Sequence, residues 1–148
     1  MIYLASDHGG YKLKELIEKY LKEKGEEVVD VGAEKLDPTD DFTDFVIPLA
    51  KKVAENPKNL GVALCRNGVG VEVAANKIDG IRAALSWDPK HAASSRHDDN
   101  SNVLALPADY LNDKKAIRVL ESWLSTPYAK APRFERRLKK IEKEEREN

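Results

Sequence analysis

Short apolar runs alternate along the chain with stretches in which apolar residues recur at helical spacing. Five of the runs have the length and composition of buried strands: Ile2 to Ala5, Val28 to Val31, Leu60 to Leu64, Ile81 to Leu85, and Val103 to Leu106. Strands that are apolar on both faces and alternate with helices are typical of a parallel sheet covered on each side by helices. The pattern therefore predicts one doubly wound, Rossmann-like α/β domain built on a five-stranded parallel sheet.

Helices are predicted between and after these strands. The apolar spacing places them at Leu13 to Leu21, Phe42 to Glu55, Val71 to Lys77, Pro89 to Arg96, and Ala116 to Trp123. Pro48 lies inside the second of them, and because proline removes a helical hydrogen bond we expect either a kink there or a late start. The polar, turn-rich stretch Ala33 to Asp41 is predicted to be a surface loop.

The last segment, residues 133–148, is dense in both signs of charge. Its only apolar residues are Phe134, Leu138 and Ile141. A helix so poor in apolar residues is weakly stable alone, so the pattern fits either a solvated helix with a frayed end or a helix that packs on a partner subunit. We expect residues 1–148 to form a single domain, with 133–148 as a charged C-terminal helix or tail.

Charge and composition narrow the classes of partner. Lysine and arginine number 25, aspartate and glutamate 26, and the net charge is −1, so the chain has no broad attraction for nucleic acid or an anionic membrane. Any anionic ligand must then be held by a local group of cations. The N-terminus lacks the pattern of a secretory signal, and no apolar run approaches the roughly 18 residues of a membrane span. We therefore expect a cytoplasmic protein without nucleic-acid or membrane partners.

Cys65 is the only cysteine of the chain. A single thiol forms no internal disulfide, and without clustered histidines it supplies no zinc set, so we expect no metal and no cofactor. Cys65 is then either a small buried apolar residue or a chemical group. Its position at the end of a predicted strand favours chemistry, because ligands of open parallel sheets gather beyond the carboxyl ends of the strands.

Two of these strand ends carry unusual residues. After the first strand, Asp7 and His8 place a carboxylate and an imidazole on a glycine-rich turn, although helix capping alone explains Asp7. After the third strand, Cys65 to Gly70 form a loop whose amides can surround an oxyanion at a helix N-terminus, where the helix end and Arg66 favour a thiolate. This loop matches neither a Walker loop nor the dinucleotide fingerprint.

Two further groups admit a functional and an ordinary interpretation. The polar run Arg96 to Asn102 is either a simple loop or a proton shuttle, because it holds a histidine that titrates near neutrality beside two carboxylates. The cations Arg133, Arg136 and Arg137 form either a solvated helix face or a clamp for a phosphate.

Four longer stretches resemble one family: SDHGGYKLKE at residues 6–15, AANKIDGIRAAL at 74–85, NVLALP at 102–107 and WLSTPY at 123–128. Together they are similar to the ribose-5-phosphate isomerase B and galactose-6-phosphate isomerase family. The resemblance implies a metal-free isomerase that moves a proton through an enediol or enediolate. It also implies a homodimer, or a homotetramer built as a dimer of dimers, in which each sugar-phosphate pocket is shared between subunits.

The resemblance also implies roles for individual residues. A cysteine serves as the base, the loop glycines stabilise the oxyanion, and an Asp-His pair and two arginines four positions apart bind the sugar phosphate. The catalytic residues implied here are Cys65, His97 and Asp98. The substrate-binding residues implied are Asp7, His8, Arg66, Asn67, Gly68, Val69, Gly70, Asp99, Arg133 and Arg137.

The chain departs from the family at several of these positions. The usual Gly-Thr after the cysteine is replaced by Arg66 and Asn67, and Asp109 stands where the family has an arginine. The family's ring-opening histidine aligns with Asp98, so the ring-opening acid is expected to be either Asp98 or the neighbouring His97.

These observations together predict an isomerase that converts ribose 5-phosphate into ribulose 5-phosphate, a reaction of the pentose phosphate pathway. Two alternatives stay open. One is an isomerase of another phosphorylated sugar, such as galactose 6-phosphate or allose 6-phosphate, and the other is a non-catalytic homologue that only binds a sugar phosphate. If Cys65 is not the base, Glu72 is the next candidate.

Overall fold

The computed structural model describes all residues, 1–148, and contains one parallel sheet of five strands. The strands are β1 (Ile2–Ser6), β2 (Val28–Asp30), β3 (Leu60–Cys65), β4 (Ala83–Leu85) and β5 (Val103–Pro107). They lie in the order β2-β1-β3-β5-β4, and every pairing is parallel. The predicted doubly wound α/β fold is confirmed, and each predicted strand is found.

Six α-helices connect and follow the strands. They are α1 (Tyr11–Glu23), α2 (Thr43–Ala54), α3 (Val69–Ala75), α4 (Pro89–Asp99), α5 (Asp113–Ser125) and α6 (Pro132–Glu147). Single 3-10 turns at His8–Gly10 and Ala108–Tyr110 follow β1 and β5. Because α2 begins at Thr43 and carries Pro48 in its interior, the alternative of a late helix start is wrong.

Two apolar clusters cover the two faces of the sheet. One lies under α1, α4 and α5 and includes the fully buried Trp123, whose Nε1 donates to Ser101 Oγ at 2.8 Å. The other lies under α2 and α3 and includes Cys65. Full burial of one leucine- or valine-sized side chain stabilises the fold by about 1.5 to 3 kcal/mol. Both faces of the sheet are therefore covered by packed apolar side chains, which hold the strands and the ends of their loops in place.

The strand order creates a crevice between β1 and β3. The chain leaves β1 toward β2 on one side of it and returns to β3 on the other, so the loops that follow β1 and β3 diverge. Ser6 pairs with Leu64, and Cys65 pairs with Pro107. We call this end of the sheet the carboxyl edge, and the predicted loops after β1 and β3 both lie there.

Helix α4 carries the chain back to the opposite end, the amino edge. Its end and the following turn lie beside the starts of β4 and β5, since Asn102 N donates to Arg82 O at 3.0 Å and Arg82 Nε donates to Asn100 O at 2.7 Å. Helix α6 contacts α4 through the buried Phe134, while most of its other side chains are exposed. None of the helices is both long and apolar enough to cross a bilayer.

Candidate active site

The thiol of Cys65 lies at the carboxyl edge, with only 5% of the residue exposed. Its Sγ donates to Asn67 Oδ1 at 3.8 Å, and the same oxygen accepts the amide of Val69 at 3.0 Å. The Nδ2 group of Asn67 donates to no group of the chain. Asn67 therefore joins the thiol to the start of α3 and keeps a free donor beside it.

The loop after Cys65 requires glycine at position 68. Gly68 has φ 74°, in the left-handed region, and a Cβ there would lie 2.5 Å from Leu85 Cδ1 and 3.0 Å from Pro107 N. The glycine thus lets the loop lie against the ends of β4 and β5. The next amides in the first turn of α3, those of Gly70 and Val71, donate to no acceptor in the chain. Two free amides beside the thiol fit the predicted oxyanion-binding loop.

Asp7 and His8 lie on the turn after β1, close to this loop. Asp7 is buried, and its Oδ1 accepts the amide of Gly9 at 2.9 Å, so it caps the 3-10 turn that precedes α1. The capping interpretation is therefore confirmed, although the capped element is the 3-10 turn. Capping leaves the other carboxylate oxygen of Asp7 free for a ligand.

Asp40 contacts His8 and was absent from the predicted site. Its Oδ1 accepts both the amide of His8 at 2.9 Å and the ring Nδ1 at 2.8 Å. This hydrogen bond, helped by the charge of Asp7, raises the pKa of His8 above its usual value. The signal in the sequence was weak, because the predicted surface loop holds several acidic residues and their spacing does not indicate which one turns inward.

Arg66 is paired with an acidic residue of the turn after β5. Its Nε donates to Asp109 Oδ2 at 2.9 Å, and the amide of Asp109 donates to Arg66 O at 2.9 Å. The hydrogen bond to Asp109 raises the pKa of the guanidinium. The Arg66 side chain therefore bonds Asp109, whereas the thiol of Cys65 bonds Asn67.

Two cavities lie near these residues. One of about 400 Å³ opens beside Asn67, between Trp87, Tyr110 and Lys115. A larger one of about 570 Å³ runs along the edge strand β4 and is lined by neither Cys65 nor His8. Glu72, the reserve candidate for the base, borders the larger cavity, and its Oε1 accepts the amide of Leu85 at 3.0 Å.

The remaining predicted residues lie elsewhere. His97 Nδ1 bonds Asp98 Oδ1 at 2.6 Å, and the ring of His97 meets that of Phe134 edge-on at 5.9 Å. The guanidinium carbon of Arg133 lies 4.3 Å from the centre of the Phe134 ring. We call His97, Asp98, Asp99, Arg133 and Arg137 the amino-edge group.

The chain brings the predicted site together only in part. Asp7, His8 and the loop from Cys65 to Gly70 share the carboxyl edge, whereas the amino-edge group lies near the start of β5. The five residues of β5 span about 16 Å. That length exceeds a single hydrogen-bonded contact, and no hydrogen bond within the chain joins the two groups.

Comparison with known proteins gives one family. Residues 2–141 match the model of the Ribose/Galactose Isomerase family. A probable ribose-5-phosphate isomerase B from Mycoplasma pneumoniae is 41% identical over 99% of this chain and 95% of its own length. The ribose-5-phosphate isomerase B of Mycobacterium tuberculosis is 36% identical over 93% of this chain and 85% of its own.

A solved structure agrees with this result. The ribose-5-phosphate isomerase B of Mycoplasma genitalium, crystallised with bound ribulose-5-phosphate, superposes with a TM-score of 0.96 at 40% identity, covering 99% of this chain and 97% of that one. At this identity and coverage the likeness extends beyond the fold. The chain belongs to the ribose/galactose isomerase family.

Proposed function

We propose that this protein is an aldose–ketose isomerase that interconverts ribose 5-phosphate and ribulose 5-phosphate. The observation that carries the proposal is the loop at the carboxyl edge, where the buried thiol of Cys65 bonds Asn67 and is followed within six residues by the free backbone amides of Gly70 and Val71. The relative with bound ribulose-5-phosphate, which shares the fold over nearly the whole chain, supports the choice of sugar.

In the proposed reaction, Cys65 moves one proton between neighbouring carbons. The thiolate removes the proton from C2 of the open-chain aldose, and the electron pair forms a C1–C2 double bond as negative charge develops on O1. The amides of Gly70 and Val71 and the Nδ2 of Asn67 stabilise that oxygen. One such donor contributes roughly 3 to 4 kcal/mol in enzymes that use an oxyanion hole. Cys65 then returns the proton to C1 as the proton on O2 shifts to O1.

Ring opening and phosphate binding fall to the amino-edge group of a second subunit. Because Asp98 holds the Nδ1 of His97, the ring is oriented with Nε2 free, which makes His97 of the partner subunit the acid and its Asp98 a positioning residue. Arg133 and Arg137 of the partner subunit bind the phosphate, and Asp7 and His8 contact the sugar phosphate from this chain.

The proposed homodimer is supported by exposed apolar residues on α3 and after the edge strand β4. Val69, Val73 and Trp87 are large apolar residues with 45%, 54% and 50% exposure, and β4 has an unpaired edge. We also propose that α6 packs across the partner, that such dimers can pair into tetramers, and that the whole chain acts as one domain in the cytoplasm.

The first experiment measures ribulose 5-phosphate formed from ribose 5-phosphate by the purified protein in the presence of a chelator. Galactose 6-phosphate and allose 6-phosphate are tested beside it. Turnover of the pentose that is about a thousandfold lower in Cys65→Ala confirms the proposal. Faster turnover of a hexose assigns the protein to another sugar. Calorimetric binding without turnover makes it a non-catalytic homologue, and full activity of Cys65→Ala moves the role of base to Glu72.

A further inference from the structure

One buried carboxylate fixes both the backbone and the ring of a single histidine. Asp40 comes from the loop before α2, yet its Oδ1 accepts the amide of His8 at 2.9 Å and the Nδ1 of the same residue at 2.8 Å. An acceptor shared in this way removes the rotational freedom of the imidazole. It also requires a proton on Nδ1, so the tautomer is set.

The burial of Asp40 makes the charge of His8 important. The Asp40 side chain is only 8% exposed, and its Oδ2 is buried without a hydrogen-bond partner. A buried carboxylate with an unused oxygen is costly unless a positive charge lies beside it. The only basic group in contact with Asp40 is His8, so the imidazolium form of His8 is the form that compensates this carboxylate.

Four charged groups surround the imidazole. Asp40 faces it from the loop before α2, Asp7 from its own turn, and Arg66 from the loop after β3. The fourth group, Asp37, interacts electrostatically with His8 from the same loop as Asp40. Three of these groups are acidic, and the one basic group, Arg66, is neutralised by Asp109. The surroundings as a whole therefore favour the charged imidazole.

We propose that Asp40 is a positioning residue that holds His8 as an imidazolium with Nε2–H as its one free donor, ready for the anionic end of the substrate. The His8 side chain is 28% exposed, and its Nε2 donates to no group of the chain. The contact with substrate rests on the proposed function, whereas the charge state of His8 in the free protein does not. Nothing in the sequence singled out this pair.

The decisive test is an NMR titration of the histidine Cε1–H signals in the protein without ligand. His8 is assigned among the three histidines through His8→Gln. Asp40→Asn keeps the shape of the side chain and removes its charge, so the His8 midpoint moves to lower pH. Asp41→Asn is the matched control, since Asp41 is adjacent, exposed and makes no side-chain hydrogen bond. An unchanged His8 midpoint in Asp40→Asn would overturn the proposal.

Steady-state kinetics provide a second test. On the alkaline side of the His8 midpoint measured in Asp40→Asn, this variant raises KM for ribose 5-phosphate about tenfold with kcat within about twofold, and KM recovers on the acidic side of that midpoint, where His8 is protonated. Equal losses of kcat at every pH instead indicate a merely structural role and contradict the proposal. If the parent protein turns over no sugar phosphate, the proposed function fails while the titration still decides the state of His8.

Discussion

The two ends of the sheet use their charged residues differently. At the carboxyl edge, groups from separate loops contact one another: Asp40 accepts a hydrogen bond from His8 across 32 positions of sequence, and Asp109 accepts one from Arg66 across 43. In the amino-edge group the one polar side-chain contact is local, between His97 and Asp98, and the long-range contact is between the rings of His97 and Phe134. The carboxyl edge is thus tied together by this chain, whereas the amino-edge group is presented outward.

The difference explains why neither end works alone in the proposed mechanism. The carboxyl edge supplies the base and the oxyanion donors. Its arginine, Arg66, is already paired with Asp109 and is therefore less available to bind a phosphate. The amino-edge group supplies arginines and an oriented histidine but no base. In the proposed mechanism they are two halves of one pocket, joined when two subunits associate, and the following experiments test that division.

Mixing two inactive variants has the largest expected effect. Cys65→Ala breaks the carboxyl edge, and the double variant Arg133→Ala/Arg137→Ala breaks the amino-edge group. If pockets are shared, each hybrid dimer contains one intact pocket, and randomly mixed subunits regain about a quarter of the parent activity from a background about a thousandfold lower. Mixing Cys65→Ala with Asn67→Ala is the control and regains nothing. A mixture as inactive as its parts places the whole pocket within one chain.

Comparing the forward and reverse rates tests the ring-opening step separately from proton transfer. Ribose 5-phosphate is mostly cyclic, whereas ribulose 5-phosphate stays open because its C5 oxygen carries the phosphate. His97→Ala is expected to slow the forward reaction about a hundredfold and the reverse reaction only a few-fold, because general acid catalysis is needed only to open the ring. Rates are compared by a coupled assay in each direction. If Asp98→Asn shows the asymmetry and His97→Ala does not, Asp98 is the acid.

Removing the ion-pair partner of Arg66 is expected to have a smaller effect on activity. The Arg66–Asp109 pair is exposed on both sides, so Asp109→Asn costs little stability and frees a cation at the rim of the crevice. We expect KM for ribose 5-phosphate to fall about threefold. The control is the same substitution in an Arg66→Ala background, where it should change nothing. An equal effect in both backgrounds means that Asp109 acts independently of Arg66.

The smallest effect concerns stability against pH. The pKa of His8 is raised in the folded protein, mainly by its hydrogen bond to Asp40, from a usual value of 6.5. Its contribution is therefore fully present below about pH 6.5 and is lost as the pH rises through the raised pKa. Urea unfolding of the parent and Asp40→Asn should show a difference that narrows with increasing pH. A difference that widens toward alkaline pH would contradict this linkage.

The apolar pattern of the sequence was sufficient to predict the architecture. Four of the strands are nearly unbroken apolar runs and only β2 contains a charged residue, Asp30, so the pattern leaves little choice of element or order. The same pattern placed Cys65 and Asp7 at strand ends, and therefore at one edge of a parallel sheet. The predicted functional roles of these residues depended on the family resemblance.

Long-range polar contacts were not predictable. Nothing in the spacing shows that Asp40 rather than Asp37 or Asp41 turns toward His8, because the three share one loop and differ only in backbone direction. The pairing of Arg66 with Asp109 likewise joins two loops that meet only after folding. The separation of His97 from Cys65 had a usable signal, since a helix following β4 must return to the amino edge before β5 can begin.

The length of β5 has a consequence for activity at low protein concentration. If the base and the phosphate-binding arginines are kept at opposite ends of a five-residue strand, an isolated chain holds only half of the machinery. Specific activity would then depend on protein concentration, falling in proportion to it once the solution is diluted below the dissociation constant of the dimer. A cell could therefore change the output of such an enzyme by its copy number alone, more steeply than linearly.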